Sequence, residues 1–216
     1  MPQLREHPYI WTTWLPKLLT GETCCEWSVW FKAHYRDWSK SEGDFDQSEW
    51  LMRHTALLNQ QKAERAGDNR CVYVEGQNAF RLRGKAATLA GRPDLVVLDD
   101  RDATVIDVKA GREQAWHRVQ VMIYQYALPL VFPQFRDVRF HGEVVYPTRT
   151  VQIPQGSLSK QFIQELVNLI RRLGSDTPPG RAPSWSECRF CDISGLDCSE
   201  RIDGDHGLED IETDAF

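Results

Sequence analysis

The chain has 216 residues, enough for one well-buried domain with appended pieces, and its 41% hydrophobic and 26% charged content excludes disordered and fibrous classes. No uncharged apolar run approaches the roughly 20 residues that span a bilayer, and no basic segment precedes an apolar signal core, so no membrane partner is expected and the expected compartment is the cytoplasm. The formal charge of -5 speaks against a phosphate partner, but six acidic residues and no Lys or Arg lie between Asp203 and Phe216; without them the balance is +1, which leaves room for a local basic groove.

Residues Tyr9 to Trp38 hold Trp11, Trp14, Trp27, Trp30 and Trp38 around the adjacent pair Cys24 and Cys25. Trp27, Trp30, Phe31 and Tyr35 recur at steps of three and four, which predicts a helix packed inward along an aromatic face. Ser39 to Asp46 is polar and glycine-containing, so it reads as a loop, with Asp46 or Ser48 as the N-cap of a second helix that stops near Gly67. Trp50, Leu51, His54, Leu57 and Leu58 share a helical stripe there, which puts His54 on or beside the buried face. A lone histidine at such a place is ordinarily a hydrogen-bonded core residue.

Residues 71–76 and 79–84 are rich in β-branched and aromatic side chains and read as two antiparallel strands. Residues 94–98 and 103–108 form a β-hairpin around the turn-rich Asp99-Asp100-Arg101-Asp102. From Glu113 to about Val131 the spacing of Trp116, Val119, Ile123 and Ala127 predicts a helix, disturbed at Pro129 and Pro133. A strand follows over 137–146. A helix over 159–174 then carries Phe162, Leu166, Leu169, Ile170 and Leu173 on one stripe and stops at Gly174. After a Pro/Gly linker over 174–183 come Cys188, Cys191 and Cys198 and an acidic tail, 203–216, expected to be mobile. No internal repeat is present. Strands, a helix and a returning strand indicate an α/β fold with a mixed central sheet and flanking helices, expected as one domain over 1–202.

Asp107 and Lys109 are two apart on a strand and therefore share a face, while Val108 points to the other. Together with Asp94 they form a candidate site for a hard divalent cation, Mg²⁺ or Mn²⁺, which takes oxygen ligands and promotes phosphodiester hydrolysis. Lys109 would orient or deprotonate the attacking water. Gln120 and Tyr124, four apart on the next helix, share a face that meets substrate or positions Lys109. Arg92, Arg112 and Arg118 flank the site and are candidate phosphate contacts, beside Arg81, Arg83 and Lys85.

With Pro93-Asp94, Asp107-Val108-Lys109 and Gln120-x-x-x-Tyr124 in this order, the chain resembles the PD-(D/E)xK nuclease superfamily, specifically its RecB-like branch. The resemblance implies a restriction-endonuclease-like fold, metal ligation by His54, Asp94, Asp107 and the Val108 carbonyl, and a catalytic Lys109.

The spacing Cys188-x-x-Cys191-x6-Cys198 supplies three thiolates for one metal centre and leaves it one ligand short. Cys25 or Cys24 is the obvious fourth donor, and one early plus three late cysteines resembles the iron-sulfur RecB-like nucleases, among them the CRISPR-associated adaptation exonucleases. The text from Cys25 onward resembles that family's cysteine and aromatic helix, so Cys25 is preferred. The resemblance implies a 4Fe-4S cluster joining the termini, with zinc as the competing chemistry, since thiolates bind either. Cys71 reads as a buried small hydrophobe. The implied function is an exonuclease acting on DNA ends or single strands, as in CRISPR adaptation with its partner proteins. The alternatives are a RecB-like nuclease of repair, phage recombination or another defence system, and a DNA-binding or assembly subunit that no longer cuts.

Overall fold

The computed structural model describes residues 1–41, 47–67 and 70–204. In chain order the elements are β1 (Gln3–Leu4), β2 (Tyr9–Trp11), α1 (Pro16–Leu19), α2 (Glu26–His34), β3 (Tyr35–Arg36), α3 (Gln47–Arg65), β4 (Cys71–Val74), β5 (Phe80–Arg83), β6 (Thr88–Gly91), β7 (Leu95–Asp99), β8 (Asp102–Val108), α4 (Ala115–Val131), β9 (Arg139–Val145), β10 (Thr150–Ile153), α5 (Lys160–Leu173) and α6 (Trp185–Cys188). The expected cap Asp46 and most of the expected mobile tail lie outside the described residues, and Ser48 lies within α3.

The central sheet has the order β10-β9-β8-β7-β4. β8 and β9 are parallel and the other neighbours antiparallel, so the sheet is mixed. A parallel pair needs a crossover, and α4 supplies it. Strand alternation then divides the faces. Leu95, Val97, Ile106, Val108 and Val145 pack with Leu58 of α3 on one side. Val96, Val105 and Val144 join the larger core on the other, against Val121, Ile123 and Leu128 of α4. Each of these fully buried α4 side chains contributes about 1.5–3 kcal/mol of burial. α4 lies close to β9 because residue 142 is glycine: a Cβ there would stand 2.4 Å from Val121 Cγ1.

Behind α4, α2 and α5 complete the core. Trp27, Trp30 and Phe31 are buried as their spacing predicts, and the Trp30 indole N–H donates to the Ser175 carbonyl at 2.7 Å. His34 Nε2 donates to the Leu173 carbonyl at 3.1 Å. The helix stops at His34, however, and Tyr35 is extended and pairs β3 with β1. α5 begins on a Ser159 cap that accepts the Phe162 N–H. It ends at Gly174, where a Cβ would lie 2.5 Å from the Ala86 carbonyl oxygen. The glycine φ of -94° is ordinary, so close approach and not a left-handed turn is what requires it.

Several expectations are corrected. β4 and β5 do not pair with each other: β4 joins β7 in the central sheet, and β5 joins β6 in a separate sheet of order β2-β6-β5. Between them Glu75 takes φ 25°, Gln77 Oε1 accepts the Val74 N–H, and buried Asn78 donates to the Tyr73 carbonyl, which turns the chain off the sheet edge. α4 passes Pro129 and ends at Val131, with the Phe132 N–H closing on the Leu128 carbonyl. On α3, Trp50 and Leu51 are 43% and 56% exposed, because only the later part of the helix covers the sheet. There Arg65 donates to the buried carboxylate of Glu143 on β9 at 2.6 Å. Cys71, expected as a buried hydrophobe, is exposed on the edge strand β4. Among the described residues no helix is long and apolar enough to cross a membrane.

The close approach at Gly142 makes a direct prediction. Gly142→Ala forces α4 off β9 and lowers unfolding free energy by about 1–3 kcal/mol in denaturant titration. Gly156→Ala, where a Cβ meets nothing within 4 Å, stays within about 0.5 kcal/mol of the parent.

Candidate active site

The end of β8 delivers Asp107 into the α4 side of the sheet, 2% exposed. An isolated carboxylate there would be strongly disfavoured, and the surroundings answer it in two ways. Gln120 of α4 donates from Nε2 to Asp107 Oδ1 at 3.0 Å. Lys109 Nζ lies 2.7 Å from Oδ2 and pairs with it. The same ammonium donates to Gln120 Oε1 at 3.1 Å. Gln120 therefore holds both the acid and the base, and its Nε2 is 3.1 Å from the Tyr124 hydroxyl. Burial drives the Tyr124 pKa upward, so the phenol stays protonated, and the Arg92 backbone also hydrogen-bonds it.

Asp94 precedes β7, where the two sides of the sheet meet. Its Oδ2 accepts the Val108 N–H at 2.7 Å and faces His54 Nε2 of α3 at 3.4 Å. His54, Asp94, Asp107, Lys109, Gln120 and Tyr124 thus converge from two helices and two strands. Arg92, Arg112 and Arg118 are exposed. The carboxylates of Asp94 and Asp107 with the His54 imidazole are donors of the kind a divalent cation takes, but the side chains as arranged fall short of a closed coordination shell: among the described residues no three His, Cys, Asp or Glu groups are spaced to hold one ion.

Three neighbours were missed in the sequence. Trp116, read there only as a periodic core position, has Lys109 Nζ 5.9 Å and Lys17 Nζ 5.2 Å from its ring centroid. His117 is buried and pairs through Nδ1 with the Tyr146 hydroxyl at 2.8 Å. Burial, with Lys109 and Lys17 nearby, pushes its pKa down to about 4, so it is neutral at ordinary pH. Trp50 stacks on His54 at 5.2 Å. Aromatic and histidine residues at helix starts were the available signals, and none has a motif spacing.

Four of the six cysteines come together from the two ends of the chain. Cys25, Cys188, Cys191 and Cys198 line one cavity of ≈ 30 Å³ together with Trp27, Ile193 and Arg201, whereas Cys24 is exposed and outside this lining. Arg181 lies 4.2 Å from the Trp27 ring centroid at its rim. The segment is stitched to the N-terminal region by ordinary hydrogen bonds as well: Ser39 N–H to Asp197, Ser41 N–H to the Asp192 carbonyl, and Lys32 to Asp192 at 3.2 Å.

Burial raises the Asp107 pKa to about 6, further raised by Asp94 and opposed by Lys109. Because the unfolded carboxyl ionises near the ordinary value of 3.8, the folded state loses stability from this group as pH rises from about 4 to 6. The hydrogen bond to Asp94 raises the His54 pKa, and that contribution is full below 6.5 and is also lost as pH climbs through the folded value. In the absence of divalent cations, Asp107→Asn therefore raises Tm at pH 7.5 and the gain fades towards pH 4. Mn²⁺ raises the Tm of the parent more than that of the variant, in differential scanning calorimetry.

The family model described as PD-(D/E)XK nuclease superfamily matches residues 19–196. No curated protein sequence matches the chain. Among solved structures, the one titled "Crystal structure of SSO0001" is similar over 93% of this chain and 90% of its own, at 19% sequence identity and a TM-score of 0.46. The family match spans well over half of the chain and encloses the whole carboxylate, lysine and glutamine constellation: the chain belongs to the PD-(D/E)XK nuclease superfamily.

Proposed function

We propose that the chain is a RecB-like, metal-dependent DNA exonuclease acting on ends or single strands, as in the processing of CRISPR adaptation intermediates. Its substrate class follows from the superfamily. The observation that carries the reading is the convergence of Asp94 and Asp107 with Lys109 under the clamp of Gln120. His54, Asp94, Asp107 and the Val108 carbonyl would hold Mg²⁺ or Mn²⁺. That cation would supply positive charge beside the scissile phosphate and acidify water. Lys109 holds its ammonium between Asp107 and Gln120, in place to orient water and to exchange a proton with it. Tyr124 fixes Gln120, and Arg92, Arg112 and Arg118 meet the phosphates of the strand.

Cys25, Cys188, Cys191 and Cys198 would hold a 4Fe-4S cluster. Support comes from their shared cavity, and from its position between the first core helix and the last described segment. Such a group would tie the termini and contribute to folding directly.

With Mn²⁺ or Mg²⁺, the protein shortens 5′- or 3′-labelled single-stranded DNA, and Lys109→Ala slows this by about 100-fold or more. Equal rates end the nuclease reading. Freshly purified protein is brown and bleaches in dithionite; Cys25→Ser removes the colour and Cys24→Ser keeps it. Colourless protein with stoichiometric zinc assigns the cavity to zinc.

A further inference from the structure

The small sheet carries a surface that the active site does not use. Register aligns Tyr9, Thr88 and Arg83 in one row and Trp11, Ala90 and Arg81 in the next, all on one face, while Ile10, Leu89 and Leu82 face the core. The middle strand contributes small, buried side chains. Its neighbours contribute aromatic rings on one side and guanidinium groups on the other. The result is a trough with an aromatic wall and a cationic wall.

Two adjoining grooves share Tyr9. One is lined by Trp11, Arg81, Gly91 and Arg92. The other is lined by Arg5, Arg36 and Arg83, with Glu6 as its one carboxylate. Arg36 has a long contact of 3.9 Å with Asp37, and among the described residues no carboxylate forms an ion pair with Arg5, Arg81, Arg83 or Arg92. Burial and the neighbouring Arg36 charge lower the Arg5 pKa, with Tyr9 and Asp37 opposing, so cations outweigh anions around it.

The aromatic pair divides its labour. Arg5 and Arg81 lie 5.7 and 5.9 Å from the Tyr9 ring centroid, and Trp11 meets it edge-on at 5.6 Å, so Tyr9 is already engaged. Trp11 is 40% exposed and keeps a ring surface free for a ligand. The trough also leads somewhere. Arg92 at its end precedes Pro93-Asp94, and its backbone hydrogen-bonds the Tyr124 hydroxyl of the active site.

We propose that this face is a track for single-stranded DNA, in which a base stacks on Trp11 and phosphates lie against Arg5, Arg81 and Arg83, leading the strand past Arg92 to Asp94 and Asp107. An exposed aromatic interleaved with arginines suits a strand whose base faces are open. A duplex hides those faces and leaves Trp11 without a partner. The direction of the track rests on the nuclease reading; the binding itself does not.

The test is fluorescence anisotropy with a labelled oligothymidylate of about 15 nucleotides in EDTA, which separates binding from cleavage. Trp11→Ala weakens binding about 10-fold while Trp11→Phe retains most of it. Arg81→Glu with Arg83→Glu weakens binding and lowers the slope of log affinity against log salt by about 0.7 for each phosphate that is no longer neutralised. The Trp11→Phe and double-arginine variants decide the matter if Trp11→Ala fails to fold. The track is overturned if wild-type protein does not bind the oligonucleotide, if the Trp11 and arginine variants bind like wild type, or if a blunt duplex binds as tightly as the single strand. Trp11-dependent binding without Lys109-dependent cleavage defeats the nuclease reading alone; cleavage with Trp11-independent binding defeats the track alone.

Discussion

A carboxylate buried at the end of the central strand constrains everything near it. Asp107 cannot be left alone in the core, so its environment must provide a cation, a hydrogen-bond donor and a fixed distance to both. Lys109 on the same strand face supplies the first and Gln120 the second. For Gln120 to reach, α4 must lie tight against β8 and β9, which is what Gly142 permits. Packing on the α4 side and the charge arrangement at the site are therefore one problem, solved by the same helix.

How much of this could be read from the residues depends on the range of each interaction. Period two placed Asp107 and Lys109 on one face, and period four placed Gln120 and Tyr124 on another, so the polar groups of each element were visible in advance. The hairpin was equally plain, because β7 and β8 are long β-branched runs around a turn. Strands β2, β6 and β10 were not visible: three or four residues hold no period, and β6 is buried throughout. The separation of β4 from β5 turned on the local geometry of Glu75 and Asn78, which strand propensity does not register. Trp50 shows the matching limit for helices. Spacing says which residues share a stripe, and not whether another element covers it. The meeting of His54 with Asp94 depends on where α3 crosses the sheet, so only the family resemblance pointed to it.

Net charge was a similarly incomplete guide. A chain of formal charge -5 carries an arginine-rich face on its small sheet, and its aromatic residues divide between core and surface in the same short strand: Ile10 is buried between Tyr9 and Trp11, which look outward. The local field near a groove, and not the sum over the chain, governs which polymer approaches it.

The pairing of the chain's early and late segments has a temporal side. α2 is covered through Trp30 and His34 by residues 139 to 145 positions later in the chain. At ribosomal speeds of about 5–20 residues per second, its aromatic face waits roughly 7–30 s for the segment that buries it. During that interval Trp30 and His34 lack their native partners at Ser175 and Leu173. A newborn chain of this kind has reason to meet a chaperone before it meets DNA.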